Sequence, residues 1–258
     1  MPFLSPRCSS EVDPTASRES STPFHLTPYP KSKYTVPGTT PDALHVQKVM
    51  AGFADRGATT CVMECSSIGL DQGRCDFVDF DIAVHTNLTR DHLDYHDSMD
   101  SYLDAKLRLF RMLRDPERQR AVINLDDAYA QQFAAAAEQV PIVTYSLRDR
   151  DADVYAEKVN RSIFETEAII RTPVGKLRVI TPLLGNTNVS NILAAVAVGV
   201  SVGAPLKSIV AGIEAVEVIP GRCELIDEKQ DFAVVVDYAH TPDALSRLLD
   251  TIRDCGPK

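Results

Sequence analysis

The sequence predicts an α/β protein built on a mostly parallel sheet with an antiparallel β excursion, and three observations lead there. From Tyr34 onward, short apolar runs of strand length alternate with stretches of helical period. Several of those runs open directly into loops dense in Asp, His, Ser and Arg, as parallel strands do at their carboxyl ends. Between residues 154 and 181 the texture changes to apolar–polar alternation around the turn Thr172-Pro173-Val174-Gly175, which is the mark of antiparallel pairing.

Residues 1–33 carry many Pro and Ser and no hydrophobic period, so they are expected to be disordered or foreign to the fold. Residues 42–56 read as a helix with Thr40 as N-cap and Pro41 at the first helical position. Residues 59–64 read as a buried strand, followed by the polar loop MECSSIGLDQGR. A second strand over 81–86 opens into TRDHLDYH. Asp97 or Ser98 then caps a helix whose apolar positions are Met99, Tyr102, Leu103, Leu109, Phe110 and Leu113.

Strands follow at 121–124 and 142–145, then the alternating segments 154–159, 162–171 and 176–181. Helices are predicted over 188–202 and 206–217. Pro220-Gly221 marks a boundary, after which come a strand at 232–236 and a helix at 241–253. The expected organisation is therefore an N-terminal segment 1–33, a central domain 34–220, and the first βα unit of another domain at 221–258. A single βα unit cannot cover both its faces, so that last domain is expected to be truncated.

Composition narrows the function classes. A chain of 258 residues with 44% hydrophobic content makes one large domain or two smaller ones. The net charge of -9 argues against direct nucleic-acid contact. Six cysteines without a CxxC pair fit a reducing compartment and thiols acting as small hydrophobes. The chain has no apolar run of membrane-spanning length, so no membrane partner is expected. The N-terminus lacks a secretory core, and Glu11, Asp13 and Glu19 make it a poor organelle transit peptide.

The chemistry-bearing residues cluster at strand ends. Thr39 and Thr40 precede a helix whose free N–H groups favour an anion. Glu64 stands where its strand leaves the sheet, suited to a metal or an ammonium. Ser66, Ser67, Gln72 and Arg74 form a set able to hold a carboxylate or phosphate. His92 and His96 are four apart, with Asp91 and Asp94 beside them. Without HExxH, one imidazole plus a carboxylate and waters suits magnesium better than zinc. Lys106 falls inside the apolar stripe of its helix, where an amine must pair, snorkel or lose its charge. Asn188 and Asn191 open a helix three residues apart and are suited to a purine edge. Arg222 sits at the domain boundary, and Asp237 and His240 form Asp-x-x-His at a strand end.

In this order the motifs SSIGLDQGR, TNLTRDHLDYH, LLG, NILAAVAVG, GRCE and VVVDYAHTPD resemble the Mur ligase family, in its MurE-type branch and most closely its plant plastid members. The resemblance implies a central domain of P-loop-NTPase type and a Rossmann-like C-terminal domain. It implies ATP-dependent amide bond formation on UDP-N-acetylmuramoyl-dipeptide, with diaminopimelate or another amino acid as the incoming amine. A substrate carboxylate attacks the γ-phosphate of ATP, and the amine then displaces phosphate from the acyl phosphate. ATP and Mg2+ are the implied cofactors.

By the same resemblance, Thr39, Thr40, Ser66, Gln72 and Arg74 contact the UDP-linked substrate. Glu64 and His92 are metal ligands, and Lys106 is a catalytic lysine that becomes N-carboxylated and supports a second magnesium. Asn188, Asn191, Arg222, Asp237 and His240 contact the nucleotide. Location is chloroplast for a plant protein and cytoplasm otherwise.

The chain departs from the family pattern in three ways. It has no GxxGKT, it is expected to end before the C-terminal domain supplies the family's amino-acid pocket, and SSHGL reads SSIGL, with Ile68 for His, as Thr187 likewise stands where an aromatic or His is usual. The chain alone is therefore expected to be catalytically impaired. The alternative implied by the plant members is a structural, non-catalytic component of the plastid RNA polymerase assembly, with polymerase subunits as partners.

Overall fold

The protein's structure is a computed structural model, and it describes residues 3–4, 39–162, 164–226, 228–240 and 242–254. The chain divides into two compact units, Met1–Val143 and Thr144–Lys258.

In the first unit, β3 (Phe80–His85) and β4 (Arg120–Asn124) pair in parallel, from Ile82 against Arg120 to His85 against Ile123. Phe80, Ile82, Ala83, Ala121, Val122 and Ile123 are all buried. A near-continuous apolar run of this kind is what a parallel strand covered on both faces requires. The cover comes from Val46 of α1 (Ala43–Ala54), from Tyr102, Leu109 and Phe110 of α3 (Met99–Arg111), and from Phe133 of α4 (Ala130–Ala136). Phe110 and Phe133 meet edge to face at 5.0 Å between ring centroids.

The start of α3 follows from its sequence. The Ser98 side chain accepts from the Ser101 backbone, and Ser101 returns a bond to the Ser98 backbone. Asp100 lies in the first turn and Arg108 and Arg111 in the last, which matches the helix dipole.

Several expectations for this unit are corrected. Thr40 does not cap α1: the N-cap is Asp42, whose carboxylate accepts from the His45 N–H at 3.0 Å, so Pro41 lies before the helix. A carboxylate outcompetes a hydroxyl here, and the Thr40 side chain is engaged elsewhere. The strand expected at 59–64 shrinks to β2 (Cys61–Val62), with Val62 exposed. It lies at a sheet edge, in the order β2-β1-β3-β4. Its neighbour β1 (Phe3–Leu4), from the segment expected to lie outside the fold, pairs antiparallel with both β2 and β3. The rest of 1–33 falls outside the described residues. A five-residue helix, α2 (Ser67–Asp71), replaces what reads as loop, with Ser66 as its N-cap accepting from the Gly69 N–H.

In the second unit, β5 (Ile142–Ser146), which begins before the division, pairs in parallel with β6 (Val154–Arg161) through Tyr145 and Val154. β6, β7 (Thr166–Thr172) and β8 (Gly175–Thr181) then form the expected antiparallel meander. The fold is thus α/β with a mixed sheet, parallel at β3–β4 and β5–β6. Long apolar α5 (Gly185–Ser201) buries Val189, Ile192, Leu193, Val196 and Ala197. It packs on α6 (Leu206–Glu214) where a Cβ on Gly199 would meet Ile209 side-chain carbons at 2.8 Å, so any larger residue there would force Ile209 to move.

Beyond α6 lies a hairpin that the sequence left half-read: β9 (Glu224–Ile226) pairs antiparallel with β10 (Val234–Val236), and α7 (Pro242–Asp254) follows. Phe232, Val234, Val236, Tyr238, Leu245 and Leu249 remain exposed on these elements. Thr241, the first residue of the helix expected at 241–253, lies outside the described residues. Among the described residues, no helix is long and apolar enough to cross a membrane.

Candidate active site

Thr40 is the hub of the first unit's polar site. The residue is 1% exposed, and its hydroxyl donates to the Glu64 carbonyl at 3.0 Å and accepts from the Ser66 N–H at 2.8 Å. Its own carbonyl accepts from Arg74 Nη1 at 2.7 Å. Arg74 also grips Gln72 Oε1 through Nε at 3.0 Å and Nη2 at 2.6 Å. The structure therefore brings Thr40, Ser66, Gln72 and Arg74 together, with Thr39 exposed beside them. Tyr95 closes the group, its hydroxyl donating to Asp71 at 2.9 Å and lying 3.3 Å from Gln72 Nε2. The Cys65 and Cys75 sulfurs meet at 3.6 Å within this same loop. The contact with Cys75, and then burial, push the Cys65 thiol up.

Lys106 and His92 stand on Tyr102, and the Glu64 carboxylate lies within electrostatic reach of Lys106. Lys106 Nζ lies 5.1 Å from the Tyr102 ring centre, and the His92 ring meets Tyr102 edge-on at 5.9 Å. Burial pushes the Lys106 ammonium below its usual range, and the Glu64 and Asp91 carboxylates act against that. The same burial pushes the Tyr102 phenol up to about 12. Glu64 and His92 are exposed. His92 holds a left-handed backbone at φ 55, with the Asp91 carboxylate accepting its N–H at 2.8 Å.

The second histidine of the motif is no ligand of this cluster. His96 is buried, with Nε2 2.9 Å from Ser67 Oγ, and so ties the His-rich loop to α2. Behind the cluster His85 is buried and stacked on Phe133 at 3.7 Å between ring centres, with Nε2 3.2 Å from Asp127. Burial pushes the His85 imidazole down, outweighing the pull of Asp127. The sequence reading missed this pair. Its signal was a histidine as the last residue of a strand that is otherwise apolar apart from Asp81.

In the second unit, Asn188 is buried and donates to the Leu184 carbonyl at 2.8 Å, while Asn191 is exposed, so the two do not present one common surface. The expectation that Asn188 opens the helix is corrected, because α5 already begins at Gly185 behind Leu184. Arg222, Asp237 and His240 do gather. Asp237 accepts from the Cys223 and Ala239 N–H groups, both at 2.7 Å. The Arg222 guanidinium stands 5.8 Å from the Tyr238 ring centre, and His240 Nδ1 lies 2.8 Å from the Tyr238 carbonyl.

A profile of the Mur ligase middle domain matches residues 19–199, and one of the Mur ligase glutamate ligase domain matches residues 221–258. The chain belongs to the Mur ligase family. It is 51% identical over 219 residues to the chloroplastic MurE homolog of Arabidopsis thaliana, named as a UDP-N-acetylmuramoyl-L-alanyl-D-glutamate–2,6-diaminopimelate ligase, covering 84% of this chain and 28% of that protein. It is 42% identical over 229 residues to the ligase of that name from Geobacillus kaustophilus, covering 87% of this chain and 46% of that one. Among solved structures, a UDP-N-acetylmuramoyl-L-alanyl-D-glutamate–2,6-diaminopimelate ligase superposes with a TM-score of 0.72 at 39% identity, over 83% of this chain and 44% of that one. The chain thus spans less than half the length of each of these relatives.

This Mur ligase chain offers donors for a divalent cation without a closed cage. Among the described residues, no three His, Cys, Asp or Glu side chains are arranged to hold a metal. The donor types nonetheless suit a hard cation that keeps most of its water: the Glu64 and Asp91 carboxylates both act on Lys106, and the His92 imidazole stands on the same tyrosine.

Proposed function

We propose that this chain carries the muramoyl-peptide and metal-binding part of a MurE-type ligase, which joins diaminopimelate or another amino acid to UDP-N-acetylmuramoyl-L-alanyl-D-glutamate at the expense of ATP. The observation that carries this reading is Lys106: a buried amine seated on the Tyr102 ring, kept low by burial and within electrostatic reach of the Glu64 and Asp91 carboxylates. Only a neutral amine adds to carbon dioxide, forming an N–C bond and releasing one proton. The resulting carbamate, with Glu64 and His92, would hold Mg2+. When bound, Mg2+ offsets the charge crowded at the transferred phosphoryl group.

The other residues bind and orient. Ser66, Gln72 and Arg74, with the exposed Thr39 beside them, present hydroxyls, an amide and a guanidinium to an anionic substrate, while the buried Thr40 holds their loop in place. Asn188, Asn191, Arg222, Asp237 and His240 are proposed to serve the nucleotide. The exposed Arg222 beside Tyr238 is suited to a phosphate, and the exposed Asn191 to a base edge. A chloroplast location is proposed from the likeness to the plant homologs.

The test is binding of UDP-N-acetylmuramoyl-L-alanyl-D-glutamate to the chain by calorimetry, with carbon-13 bicarbonate present for NMR. The expected results are saturable binding that Arg74→Lys weakens about tenfold or more, and a carbamate carbonyl resonance absent from Lys106→Met. No binding, together with co-purification of the chain with plastid RNA polymerase subunits, would replace this reading with the structural one.

A further inference from the structure

The Cys65 and Cys75 sulfurs touch at 3.6 Å with both thiols free. A disulfide brings sulfurs to about 2.05 Å, so bonding requires these two to approach further by only about 1.5 Å. The two thiols bracket the segment that carries Ser66, Gln72 and Arg74. Both ends of that segment are already fixed. At one end the Thr40 hydroxyl holds the Glu64 carbonyl and the Ser66 N–H. At the other, Arg108 holds the Asp71 carbonyl at 3.1 Å and the Asp76 carboxylate at 3.2 Å. Between them the chain turns through Gly73 at φ 69, and the Arg74 N–H returns to the Gly69 carbonyl at 2.9 Å. The fold has thus met the cost of bringing the two cysteines together.

We propose that Cys65 and Cys75 are a reversible dithiol–disulfide site, which when oxidised locks residues 66–74 and their polar side chains into one geometry. Cys65 is partly exposed and Cys75 fully buried, so access to the oxidant, rather than thiol acidity, sets the order of events. With a low-molecular-weight disulfide such as oxidised glutathione as oxidant, the Cys65 sulfur attacks one glutathione sulfur and releases the other half as glutathione. The Cys75 sulfur then attacks the Cys65 sulfur and releases the second glutathione. Two electrons pass from the cysteines to the oxidant, and their two protons end on the two released thiols. A dithiol reductant reverses both steps. The linkage stands on the sulfur geometry alone; only its consequence for substrate rests on the ligase reading.

The experiment incubates the native full chain with oxidised glutathione, blocks free thiols, and maps the peptides by mass spectrometry. The expected result is a Cys65–Cys75 cross-link, removed by dithiothreitol, with amide exchange in residues 66–74 slowed roughly tenfold. In Cys75→Ser, glutathione should remain trapped on Cys65; in Cys65→Ser, neither residue should be modified. Absence of the cross-link in the wild type, or preferential linkage of Cys61 to either thiol, overturns the proposal. These readouts are blind to ligase activity, so a failed binding test of the substrate leaves them unaffected.

Discussion

Arg74 Nη1 donates to the Thr40 carbonyl at 2.7 Å, across 34 residues of sequence. Together with the Thr40 hydroxyl bridge between Glu64 and Ser66, it makes one threonine the joint between the start of α1 and the loop after β2. Replacing Thr40 by Val keeps the shape but leaves the Glu64 carbonyl and the Ser66 N–H without that partner. Each unsatisfied group costs about 1–3 kcal/mol. The expected outcome is a clear drop in the urea midpoint with an unchanged slope, largely restored in Thr40→Ser.

Gly69 faces the same threonine. A Cβ built there meets Thr40 Cβ and Cγ2, both at 2.8 Å. Gly69→Ala should destabilise by about 1–3 kcal/mol through overpacking. In a Thr40→Ser background, which removes Cγ2, the cost should be smaller. A double-mutant cycle on urea midpoints reads this coupling, and strict additivity would contradict it.

Lys106 costs the fold stability where it stands. Burial disfavours its charged form, and the carboxylates of Glu64 and Asp91 offset that only in part. Lys106→Met should therefore raise stability by about 0.5–2 kcal/mol while removing the amine that the ligase reading requires. Thermal unfolding of the two proteins side by side checks the first half.

Acid should weaken the first unit in two stages. The His85 imidazole is held low by burial, so the unfolded chain takes up its proton first, near the ordinary value of about 6.5. That part of the stability is complete above this pH and is lost as pH falls through it. Burial works to raise the Asp127 carboxyl, but hydrogen bonds from His85 and from the Leu88 and Tyr129 N–H groups hold it low. Its contribution is complete above about pH 3.9 and is lost below. Urea midpoints measured from pH 8 down to 3 should show both losses. His85→Phe, which keeps the stack on Phe133, should flatten the upper one.

Much of this was legible in the sequence where periodicity and burial agree. The helix with Lys106 in its apolar stripe, the parallel strands at 80–85 and 120–124, and the meander from 154 to 181 carry their patterns on their faces. The rest was hidden for physical reasons. α2 and α4 have five and seven residues, too short to display a helical period. β9 has three residues and depends on its partner β10. At the site, the residue types at 64, 92 and 106 pointed to a cation. The roles of Thr40 as a bridge and of His96 as a brace could not be read, because both depend on partners at least 24 residues away.

The hairpin of β9 and β10 and the helix α7 leave Phe232, Val236, Tyr238, Leu245 and Leu249 in water on a chain whose net charge is -9. In dilute buffer, mutual repulsion keeps such molecules apart. Raising the salt from about 0.1 M to 1 M shortens the reach of that repulsion from about 10 Å to 3 Å, while greasy contacts lose nothing. Preparations of this protein should therefore scatter more light as ionic strength rises, and low-salt storage should keep them clear.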